Sequence, residues 1–209
     1  RPRLYDEVHA LLNQKADLFN FTLSAERLKQ TLSYLRQLLA ENNDHKYLEY
    51  GLYTALWRYW IMPQPGAEEW VSQELNALER QTADEGSPSL AATKAFLYLH
   101  QAKSSEAWAA LEAGGALGQA PAGLFLPYLN LLSRTSEWGA LVDWLKRTAS
   151  HFYGPMTKER LAYIAYWKEA VEHVPEAEEP LWNVLEGMLP HSTQVVEDML
   201  YVRHHWKTW

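Results

Sequence analysis

Two stretches of this chain echo each other at a separation of 34 residues, and that spacing constrains the fold more than any other feature of the sequence. Between Leu90 and Leu145, Tyr98 lines up with Leu132, Ala107 with Leu141, Trp108 with Val142 and Leu111 with Leu145. A fixed offset of about 34 residues is the mark of stacked helical hairpins, none of which can bury its apolar face without a neighbour. The expected fold is all-α: an α-α superhelix, or solenoid, of about five helical hairpins with a C-terminal capping helix. It is expected to occupy residues 1–209 as a single repeat domain.

The breakers agree with that count. Helices are expected over residues 2–15, 24–40, 44–61 and 67–82, then from Ser87-Pro88, then over 105–113, 121–133, 136–148, 157–173 and 181–188, with a last one from Pro190 to His205. Ser24 suits an N-cap, and Leu28, Leu32, Leu35 and Leu39 follow at helical spacing. Pro127 should kink its helix or mark the true start, because it removes an intrahelical bond. Glu176-Ala177-Glu178-Glu179, between Pro175 and Pro180, reads as a solvated acidic loop.

Composition narrows the function classes. The net charge of −7 disfavours nonspecific binding to nucleic acid, which relies on clustered Lys and Arg. The absence of cysteine removes thiol nucleophiles, disulfides and Cys-ligated zinc, and fits a reducing compartment, so a cytoplasmic location is expected. No apolar run approaches the ~18 residues of a membrane span, and no signal-peptide pattern is present. Asn20-Phe21-Thr22 matches the glycosylation acceptor, with nothing else pointing to secretion. The sequence starts at Arg1 rather than Met, so it is read as a piece of a longer protein or a processed form.

The chemistry-bearing patterns are thin. Asp6 and His9, His45 and Glu49, and Glu169 and His173 have helical ligand spacing, but none has the further ligands a metal site needs. Gly114-Gly115-Ala116-Leu117-Gly118 lacks the Gly-Lys-Ser/Thr ending of a phosphate loop and reads as a helix stop. No nucleophile elbow is present. No metal, no cofactor and no catalytic residue is expected.

The 44–61 helix carries the sharpest local pattern. Leu48, Leu52, Ala55 and Tyr59 form one stripe, an ordinary core face. Tyr50, Tyr53, Trp57 and Trp60 form another, about 150° away at 100° per residue. Three readings of that aromatic stripe stand open: burial between neighbouring helices, a dimer contact, or the lining of a binding face, since Trp and Tyr dominate interface hot spots.

Residues 95–108, reading Ala-Phe-Leu-Tyr-Leu-His-Gln-Ala-Lys-Ser-Ser-Glu-Ala-Trp, resemble a tetratricopeptide repeat. Ala95, Tyr98, Glu106 and Ala107 fill the family's small, aromatic and Glu-Ala places, whereas Ala102 stands where the family usually has Gly. The resemblance implies a surface that binds peptides along the inner face of each hairpin's first helix. On it, Phe96 and His100 would face the groove, joined by Asn130 and Arg134.

The expected function is a non-catalytic interaction module that binds a protein or peptide partner on its concave helical face. The alternative is a structural or regulatory helical arm of a larger protein. Such arms accompany zinc-finger modules of the SWIM class in some bacterial proteins, although the Cys-rich motif is absent here. An all-α enzyme or ligand sensor is the third class, fold alone being silent on function.

Overall fold

The structure, a computed structural model, describes residues 24–40, 46–82, 88–117, 122–153 and 157–188. Expected features at residues 1–23, at Asn42-Asn43-Asp44, at His45 and beyond Met188 lie outside these residues. So do the Asp6–His9 pair and the last helix. Among the described residues the chain is all-helical and contains no strand. None of these helices is long and apolar enough to cross a membrane.

Contacts group the chain into two compact units, Arg1–Gly118 and Gln119–Trp209. In the first unit, α1 spans Ala25–Ala40, α2 Lys46–Leu56, α3 Ala67–Thr82, α4 Pro88–His100 and α5 Ser104–Ala113. Ser24 caps α1 as its sequence predicts, its hydroxyl accepting the Arg27 amide at 3.3 Å. Leu28, Leu32, Leu35 and Leu39 are all buried, one apolar stripe of a two-sided helix.

At the centre of the unit lies α4, which touches α1, α2, α3 and α5. Its sequence explains why. Leu90, Ala91, Ala92, Ala95, Phe96, Leu97 and Leu99 cover most of the helix circumference and all are buried. A helix apolar on most sides takes the middle of a bundle, and here the strip of Lys94 and Tyr98 is partly open. Against it α5 packs closely enough that a Cβ at Gly114 would overlap the Ala91 methyl.

The second unit contains α6 (Ala122–Arg134), α7 (Trp138–Thr148), α8 (Thr157–His173) and α9 (Glu178–Met188). Here α6 touches α7 and α8, and α7 touches α8 and α9. Its core is aromatic. Tyr128 meets Trp144 at 5.2 Å between ring centres, and Phe152 stacks on Tyr163 at 4.3 Å. Pro127 sits inside α6 rather than at its start. The expected acidic loop is shorter than its sequence suggests. Pro175–Ala177 is a 3-10 turn, and Glu178 and Glu179 already belong to the first turn of α9, where the helix dipole favours negative charge.

The 34-residue offset reappears in backbone detail. At the end of α4, Lys103 N–H donates to the Tyr98 carbonyl and Ala102 N–H to that of Leu99, both at 3.0 Å. At the end of α6, Glu137 N–H donates to Leu132 and Ser136 N–H to Ser133, again both at 3.0 Å. Each is a Schellman turn; a third such turn, with Gly115 left-handed, closes α5, but these two stand at equivalent positions 34 residues apart. The left-handed residue is Ala102 in the first of the pair (φ 56°) and Ser136 in the second (φ 60°). The place where the resemblance asks for Gly is thus a place where the backbone needs positive φ.

Candidate functional site

The aromatic stripe of α2 is interior. Tyr50, Tyr53, Trp57 and Trp60 are between 0% and 7% exposed, so in this unit they pack the core and do not line an open groove. That burial is the first of the three readings left open; the other stripe is corrected, because Tyr59 is 45% exposed instead of buried beside Leu52. A π-turn at Trp57–Ile61 accounts for this. It takes one residue more per turn than an α-helix, so the register beyond Trp57 lags the 100° spacing that placed Tyr59 on the core face.

Tyr53 and Trp57 belong to a larger assembly. The Tyr53 hydroxyl donates to Glu74 Oε1 at 3.0 Å, and Arg36 Nη1 donates to Glu74 Oε2 at 3.2 Å. One buried carboxylate therefore ties α1, α2 and α3 together. The Trp57 ring lies 6.3 Å from Tyr53 and 6.3 Å from His100, and His100 meets Phe96 edge-on at 4.7 Å. Four residues singled out from sequence, Tyr53, Trp57, Phe96 and His100, are thus brought into one cluster.

The electrostatics follow from burial. Desolvation pushes the Glu74 carboxyl up from its ordinary range, against the pull of the Arg36 guanidinium and the Tyr53 hydrogen bond. Desolvation also pushes the Tyr53 phenol well up, and the neighbouring Glu74 charge adds to the shift. The Trp57 indole N–H is near enough to the Tyr53 oxygen to favour its ionised form, without closing a hydrogen bond of good geometry.

Asn130 and Arg134 lie in the second unit, on a surface made by α6 and α8. Asn130 Nδ2 donates to the Tyr166 hydroxyl at 3.1 Å, and Ser133 donates to Glu169 Oε2 at 2.7 Å. Both bonds join residues 36 apart, so α6 and α8 run side by side in matched register. Arg134 is exposed beside this row. The His173 ring stacks on Trp138 at 3.8 Å, and its Nδ1 faces the Glu169 backbone carbonyl at 3.0 Å.

Sequence reasoning missed Arg36, Glu74 and Tyr166, and it took Glu169 only as a helical-spacing partner of His173 rather than of Ser133. For Glu74 a signal existed: it falls between Val71 and Leu78 on the apolar face of α3, where an acid has to find a buried partner. Among the described residues no group of three or more His, Asp or Glu side chains could hold a metal ion. The clusters described above are held together by hydrogen bonds and ring packing.

Among the described residues, fold and site define an all-helical protein with a charged network in the core of its first unit. No family profile, curated protein or solved structure matches the chain.

Proposed function

We propose that the chain is a non-catalytic interaction module, a tetratricopeptide-like array of helical hairpins that binds a protein segment in the cytoplasm. The observation that carries this reading is the pair of Schellman turns set 34 residues apart. A repeated turn gives repeated hairpins, and side-by-side first helices make the extended faces on which such arrays bind partners. The α6–α8 row supports it, with Asn130 and Tyr166 part-buried and Arg134 exposed beside them. Five of the eight expected contact residues, Tyr50, Tyr53, Trp57, Trp60 and Phe96, act as core that stiffens the first unit.

Selection from a random peptide library on the immobilised chain tests the proposal. Recovered peptides should lose binding to an Asn130→Ala, Arg134→Glu double variant that melts like wild type. Peptides that bind both proteins equally remove the α6–α8 face. Burial of the aromatic stripe favours a second reading, a structural arm packed within a larger protein. Under it the library yields no peptide at all.

A further inference from the structure

We propose that Arg58 and Tyr59 form a docking point for an acidic protein segment, separate from the α6–α8 face. Tyr59 is the exposed large apolar side chain of the described residues, at 45%. The Arg58 guanidinium lies over its ring, 5.2 Å from the centroid. This stacking orders both side chains before any partner arrives and so reduces the entropy lost on binding. Arg58 is exposed and makes no ion pair with a described residue, which leaves its planar fork open to a carboxylate.

The surroundings fit that ligand. Arg58 is the sole charged residue from 50 to 67, and the nearest charges along the chain are Glu49 and Glu68. Charge interactions between exposed groups fade beyond about 8 Å at physiological salt. Along this segment, then, Arg58 is the single cation, with Tyr59 and the exposed Pro63 and Pro65 beside it in sequence.

The backbone adds a second feature. Met62 N–H bonds the Trp57 carbonyl at 2.9 Å instead of that of Arg58, and Pro63 has no N–H to offer Tyr59. The α-helical partners of the Arg58 and Tyr59 carbonyls are thereby removed on the side where the two side chains project. This π-turn ends the helix just before Pro63, and turns of this width are rare. Arg and Tyr are, with Trp, the residues that most often anchor an interface.

Fluorescence anisotropy with three labelled peptides tests the idea: alternating Glu and Leu, Gln and Leu, and Lys and Leu. The Glu/Leu peptide should bind the full chain more tightly than the other two. Arg58→Glu should weaken it about 30-fold, the hot-spot range, and transfer preference to the Lys/Leu peptide. Tyr59→Ala should weaken it about tenfold. Arg134→Glu should leave it unchanged, so this proposal and the α6–α8 reading fail separately. Both changes are at exposed positions, and thermal melts matching wild type show that folding is intact; Arg58→Gln replaces Arg58→Glu if it melts early. Equal binding of Glu/Leu and Gln/Leu, no binding of Glu/Leu, or indifference to Arg58→Glu would each overturn the proposal. So would chain self-association in sedimentation that Arg58→Glu dissolves, because the occupant would then be a second copy.

Discussion

Each unit of this chain centres on a buried tyrosine followed four residues later by a buried tryptophan, yet the two tyrosines end on different partners. In the first unit Tyr53 donates to the Glu74 carboxylate, which Arg36 also holds. In the second, Tyr163 donates to the Leu145 backbone carbonyl at 2.6 Å. Burial pushes both phenols up, and in both cases the indole N–H four residues on faces the oxygen without closing a good hydrogen bond. The same local pattern therefore serves two solutions. One joins three helices through a charge, the other joins two through a neutral contact. A buried charged junction carries a desolvation cost even when whole, and it is the costlier of the two when one member is lost.

The comparison breaks most visibly at the tryptophans. Trp57→Ala and Trp167→Ala should each cost about 3–5 kcal/mol, as for large core rings, in urea melts followed by far-UV circular dichroism. A Trp57→Ala variant as stable as wild type would mean that the ring is not core.

Removing the phenol oxygens should separate the units. Tyr53→Phe strips a donor from a buried carboxylate and should cost about 2–3 kcal/mol. Tyr163→Phe loses a neutral bond and should cost about 1 kcal/mol. Equal losses would show that the Glu74 network adds nothing.

Acid then sharpens the contrast. The folded carboxyl of Glu74 titrates above its ordinary value, so the folded chain holds a proton that the unfolded chain has released. That contribution is complete below the unfolded value and is lost as pH rises through the folded one. Wild type should therefore lose stability relative to Glu74→Gln as pH is raised from the ordinary carboxylate range towards neutrality. A difference in Tm that stays constant with pH would contradict the burial of a carboxylate here.

The smallest effects concern the paired turns. Ala102→Gly and Ser136→Gly should each stabilise by about 0.5–1 kcal/mol, because both positions hold positive φ that a Cβ disfavours. A gain at one and a loss at the other would show that the two turns are alike only in outline.

Much of this was legible in the residues. Breakers and apolar spacing placed the described helices closely, for example 67–82 and 157–173, because caps, prolines and 3.6-residue periodicity are local properties. The 34-residue offset aligned the helices on either side of Ala102 and Ser136 but not the turn itself, since Ser136 was expected as the first residue of a helix that begins at Trp138. The candidate site was legible only in part. Phe96 and His100 do meet, but with Trp57, in a cluster that reaches the interior.

By itself the sequence determined that the described residues are helical and, closely, where those helices stop, since both depend on neighbours within a few residues. Only the tertiary structure decided that the α2 aromatics face inward, that Glu74 meets both Tyr53 and Arg36, and that Tyr59 is turned out. An amphipathic stripe records that a face is apolar without recording what covers it. Its fate depends on helices far along the chain and, at Tyr59, on one turn wound wider than the periodicity assumes.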